Sequence, residues 1–166
     1  MNWTELIRTE IESTYAVTEG LLNLVDEESL GWYPSTGSNW MTVGQLLHHL
    51  VNACGAPIRG FVTGDWGRPS EESPARPPRL PSVESVTQAK ALLAADKKLA
   101  LEMLDRCSEE ELANKPVAAP WAPNAPKPLG YQILHMIDHL KQHKGQLFYY
   151  LKLQDKPVHT GHLWGM

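Results

Sequence analysis

The sequence predicts an all-α protein, a four-helix bundle with long proline-rich connecting loops. Three observations carry that expectation. Four segments repeat apolar residues at helical spacing, no segment alternates apolar and polar residues as a strand would, and two connections hold five prolines each. Amphipathic helices of this length bury their apolar stripes against one another, and four of them make a bundle. The 166 residues are read as one domain spanning 1–166, long enough to bury a full core. The two long connections leave the order of the helices open.

The first helix is expected over residues 3–25. Leu6, Ile7, Ile11, Tyr15, Val17, Leu21, Leu22 and Val25 fall on one broad stripe, and Asn2 with Glu5 resembles a capping box. Residues 31–40, GWYPSTGSNW, carry Gly, Pro and Ser in loop proportions. Thr42 then caps a second helix running to about Gly60, with Val43, Leu46, Leu47, Leu50, Cys54 and Ile58 as its apolar positions. Residues 61–82 form the first proline-rich connection. Ser85 and Gln88 open a third helix that reaches about Cys107 through strong helix formers. Ser108 and Glu111 start one or two further turns, and residues 115–129 are the second proline-rich loop. The last long helix is expected from about Gly130 to Leu153, followed by an irregular tail.

The bulk properties exclude several classes of function. A net charge of −4 with both signs interspersed leaves no basic patch for nucleic acid. No apolar run approaches the ~20 residues of a membrane span, and MNWTELIRTEIES has no secretory h-region. These features point to a cytoplasmic protein. Cys54 and Cys107, with no CxxC, exclude a paired-cysteine zinc site and read as small buried hydrophobes rather than a disulfide.

The segment ILHMIDHLKQHKGQL places His135, His139 and His143 at four-residue spacing. On a helix these imidazoles share a stripe, and two histidines at i and i+4 can converge on one ion. Buried imidazoles need partners, which either a metal or a hydrogen-bond network with Gln132 and Gln146 would supply. A third ligand would come from His48 or His49 in TVGQLLHHL. These neighbours diverge by ~100°, and periodicity alone does not choose between them. Asp138 points away from His139 and reads as a surface residue. Six tryptophans lie mostly in loops, either packing the bundle ends or rimming a pocket, with Trp40 among them.

TVGQLLHHL together with DHLKQHKGQLFYYLKLQDKPV resembles the DinB/YfiT-like superfamily. The resemblance implies a four-helix bundle with a divalent metal held by three histidines. One comes from the start of the second helix, and two come from an HxxxH followed by a basic residue, Gly and Gln. It assigns metal ligation to His49, His139 and His143, and leaves His48 outward. It leaves His135 as a supporting partner or pocket wall, and Gln146 one turn beyond His143 to orient a ligand or substrate. His159 and His162 match no family ligand.

Three neutral imidazoles leave the full charge on the ion and positions open for chemistry. Imidazole suits zinc, nickel, iron or copper, with zinc and nickel first. Relatives of the family include enzymes that transfer low-molecular-weight thiols to electrophiles, and a thiol-dependent isomerase. The leading expectation is therefore a metal-dependent thiol transferase, with a small-molecule thiol and an electrophile as partners. The alternatives are a hydrolase using metal-bound water and a non-catalytic metal-binding or ligand-binding stress protein. The oligomeric state stays open, a homodimer included.

Overall fold

The computed structural model describes residues 2–67 and 80–166. It is an all-α fold, and a four-helix bundle describes it. The long helices are α1 (Trp3–Leu22), α4 (Val86–Leu104) and α6 (Leu129–Leu153), and the remaining wall is made of two pieces, α2 (Val43–Leu50) and α3 (Gly55–Thr63). Helix α1 packs against α4 and α6, and the α2–α3 wall packs against the same two helices from the other side. The core between them includes Ile7, Ile11, Leu47, Leu50, Ile58, Leu104, Leu140 and Leu147, all inaccessible to solvent. Burying each such side chain is worth roughly 1.5–3 kcal/mol, so the apolar stripes drive assembly. Among the described residues no helix is long and apolar enough to cross a membrane.

Local signals set the helix starts. Asn2 and Glu5 form a reciprocal capping box, as do Thr42 with Gln45 and Ser108 with Glu111 at the head of α5 (Glu109–Asn114). Ser85 accepts from the Gln88 amide, but the Gln88 side chain turns to the Glu84 amide instead of closing a box. Glu109 reaches across to cap α1, accepting from the amides of Trp3 and Thr4 at 2.9 and 2.8 Å.

Four expectations need correction. The second helix does not run unbroken from Thr42 to Gly60. It ends at Leu50, turns through Val51–Cys54 and restarts at Gly55, because Pro57 has no amide to donate to the Ala53 carbonyl. Residues 115–129 are not wholly loop: β1 (Pro116–Val117) pairs antiparallel with β2 (Lys127–Pro128), a ladder too short to show as alternation. A 3-10 turn covers Glu27–Gly31 beyond the end of α1, which stops at Leu22 rather than Val25. The tail closes in a short α7 (Gly161–Trp164), tied down where Lys144 donates to the Leu163 carbonyl at 2.8 Å and Lys156 pairs with Asp26. Most of the first proline-rich connection lies outside the described residues.

Candidate metal centre

The break in the second wall and the middle of α6 face each other. His49, on the last turn of α2, meets His139 and His143 from successive turns of α6. Their Nε2 atoms lie 3.3 Å (His49–His139), 2.8 Å (His49–His143) and 2.9 Å (His139–His143) apart. A point about 2.0–2.1 Å from all three nitrogens, the distance imidazoles adopt from zinc, lies about 1 Å off their plane. The cluster could hold a metal ion.

The hydrogen bonds behind the rings make the case stronger than spacing alone. His139 Nδ1 donates to the Ala53 carbonyl at 3.0 Å, and His143 Nδ1 donates to Gln146 Oε1 at 2.6 Å. Both acceptors are oxygens, so the proton of each neutral ring sits on Nδ1 and each Nε2 presents a lone pair. Two lone pairs then face each other at 2.9 Å. That arrangement is repulsive unless a cation stands between them. Partial burial and the neighbouring His143, His139 and His48 rings lower the His49 pKa to about 4. Burial also lowers that of His143, against the opposing pull of Gln146. Both shifts favour the neutral imidazole, the form that ligates.

This depressed basicity has a measurable consequence in the metal-free protein. Between the ordinary value of 6.5 and about 4, the unfolded chain takes a proton at residue 49 that the folded chain refuses. The folded state binds fewer protons in that window, so its stability falls as pH falls through it. Thermal unfolding of the apo protein from pH 7 to pH 4.5 should show this loss, and His49→Gln should flatten the slope.

Two cavities flank the cluster. The larger, about 500 Å³, is lined by His49, Asn52, Pro57, Trp121, His135, Met136, His139 and Gln142. The smaller, about 340 Å³, also borders His49 and is lined by Met41, Gln45, His48, Asn52, Leu80 and Pro81. Asn52 borders both, its amide held by the His48 carbonyl at 2.8 Å.

The residues singled out in the sequence fall at different places around the cluster, and the sequence reading missed others. His135 lines the larger cavity and stacks on Tyr131, while Gln146 orients His143. His48 stands in the wall of the smaller cavity, apart from the cluster. Trp40 borders neither cavity: its indole meets Tyr150 edge-on at 6.1 Å and donates to the Thr36 carbonyl. Trp121 is the tryptophan at the larger cavity, with Trp66 packed behind it at 5.6 Å. His159 and His162 pack against each other in the tail. Asp138 is exposed and 3.8 Å from Lys141. The Ala53 carbonyl went unnoticed, although Pro57 was the signal that would have found it.

A family model described as the DinB superfamily matches residues 10–147. The chain belongs to the DinB superfamily. Two solved structures share the DinB fold with it. A DinB-like protein from Bacillus subtilis superposes with a TM-score of 0.68 at 15% identity, covering 92% of this chain and 94% of that one. A DinB-like protein from Bacillus cereus superposes with a TM-score of 0.63 at 20% identity, covering 90% and 89%. At these identities the likeness concerns the fold of this DinB-superfamily chain. No curated protein matches it in sequence.

Proposed function

We propose that this protein binds a divalent metal through His49, His139 and His143 and transfers a low-molecular-weight thiol to an electrophile beside it. The observation that carries the reading is the convergence of three Nε2 atoms, two of them with Nδ1 committed to oxygen acceptors. All three ligands are neutral, so a zinc or nickel ion keeps its full charge; when bound, it stabilises a thiol as thiolate, below the ~8.5 pKa of a free thiol.

The chain's own residues then divide the work. Gln146 and the Ala53 carbonyl hold two rings in the ligating tautomer. The two cavities that border His49 offer room for two reactants, which favours a two-substrate transfer over hydrolysis of one substrate. Trp121, Pro57 and Met136 give the larger one apolar walls against which an electrophile can pack. Among the described residues, neither cavity is lined by a carboxylate that would serve as general base for water.

The test uses zinc-loaded and nickel-loaded protein, a panel of thiols including glutathione and cysteine, and 1-chloro-2,4-dinitrobenzene. In that reaction a carbon–sulfur bond forms, the carbon–chlorine bond breaks, chloride leaves and the thiol proton passes to solvent. Thioether formation should require both metal and thiol and vanish with chelator. Cleavage of a nitrophenyl ester without any thiol, with no thioether formed, would replace transfer by hydrolysis. Tight metal binding with neither activity would leave a binding protein.

A further inference from the structure

Ala53 is the pivot of the break between α2 and α3, and it is almost wholly inaccessible to solvent. A buried carbonyl needs a donor. In an unbroken helix the amide of residue 57 would supply it, but that residue is Pro57. The next carbonyl along, that of Cys54, accepts from Ile58 at 3.0 Å in ordinary helical fashion. The proline leaves the Ala53 carbonyl without that helical donor, and His139 Nδ1 occupies it at 3.0 Å.

The restart of the helix is also held from outside. Its first amides, Gly55 and Ala56, have no partner in their own helix, and Cys54 provides no side-chain cap. Asp96 from α4 accepts both, Gly55 at 2.9 Å and Ala56 at 3.0 Å. Tyr15 from α1 donates to the same carboxylate at 2.7 Å. Gly55 permits this approach, since a Cβ there would overlap the Asp96 backbone oxygen and lie 2.6 Å from its Oδ1. The break is thus fixed by α1 and α4 and read by α6 through one imidazole.

We propose that Pro57 and Asp96 are positioning residues for the metal centre: the proline frees the Ala53 carbonyl, the carboxylate locks it in place, and together they impose the Nδ1-protonated tautomer and ring orientation on His139. The relevance to metal rests on the three-histidine reading above. The effect on His139 itself does not. Partners of this kind fix which nitrogen a histidine offers, and losing one typically costs 10–100-fold in metal affinity.

Two measurements on the full chain test it: imidazole nitrogen NMR of the metal-free protein, and zinc titration against a chromophoric chelator. Pro57→Ala supplies an amide that competes for the Ala53 carbonyl without disturbing the bundle. It should turn His139 from a single Nδ1–H tautomer into a mixture and weaken zinc binding by roughly 10-fold or more. The melting temperature should stay level or rise, because alanine is the better helix former. His143, held by Gln146, should keep its tautomer in this variant and lose it in Gln146→Ala. Asp96→Asn should shift the His139 signals in the same direction as Pro57→Ala, with a lower melting temperature. If Pro57→Ala leaves both the His139 tautomer and the zinc affinity at wild-type values, the proposal is overturned. If wild-type protein binds no zinc or nickel, the ligand reading fails, and the tautomer comparison in metal-free protein still decides the positioning role.

Discussion

Replacing His139 by alanine is expected to abolish stoichiometric zinc or nickel binding, whereas His48→Ala leaves it intact. His139 Nε2 lies within 3.3 Å of the other two ring nitrogens, and its removal takes away one of three converging lone pairs. The loss should exceed the 10–100-fold that follows removal of a supporting hydrogen bond alone. His48 is one residue from His49 but diverges from it by about 100° and stands in the wall of the smaller cavity. Its influence on the cluster is a minor repulsion of the His49 cation. Metal content by elemental analysis and competition titration check both variants, and far-UV spectra should be unchanged because neither side chain belongs to the core. Equal loss in the two variants would mean that His48 supports the ligand set or belongs to it.

That choice between neighbours marks the limit of what periodicity can say. Helix existence was legible because apolar stripes and caps are local: Asn2, Thr42, Ser85 and Ser108 each sit where a side chain accepts the amide three residues on. The i, i+4 relation of His139 and His143 was legible for the same reason. The pairing of α2 with α6 depends on which faces of two distant helices meet, which no single-segment pattern encodes; the family resemblance supplied it. The break at Val51–Cys54 was a different failure. Pro57 carries the signal of the break, but the apolar positions Leu50, Cys54 and Ile58 continue at four-residue spacing and mask it. Trp40 was drawn toward the site by composition, yet its surroundings are set by Tyr150, whose hydroxyl also donates to the Met41 carbonyl at 3.0 Å.

Gly55→Ala is expected to be among the most destabilising single-methyl additions in the chain, and Gly145→Ala among the least. At Gly55 the new carbon would overlap the backbone oxygen of Asp96, and backbone cannot swing aside as a flexible side chain can. Relief requires α3 to move off α4, at an overpacking cost of roughly 1–3 kcal/mol. The same movement lengthens the bonds from the Gly55 and Ala56 amides to Asp96 and displaces the Ala53 carbonyl from His139. Metal affinity should therefore fall together with stability. Gly145 lies in the interior of α6, two residues past His143, with nothing within 4 Å of an added carbon. Alanine there removes the backbone entropy cost of a helical glycine, a gain of about 0.5–1 kcal/mol. Its metal affinity should match wild type. Denaturant unfolding and zinc titration of both variants separate two roles that glycine plays in this bundle. One glycine sets how closely two helices approach beneath the cluster, and the other, although it follows the HxxxH pair closely in sequence, makes no steric demand on it.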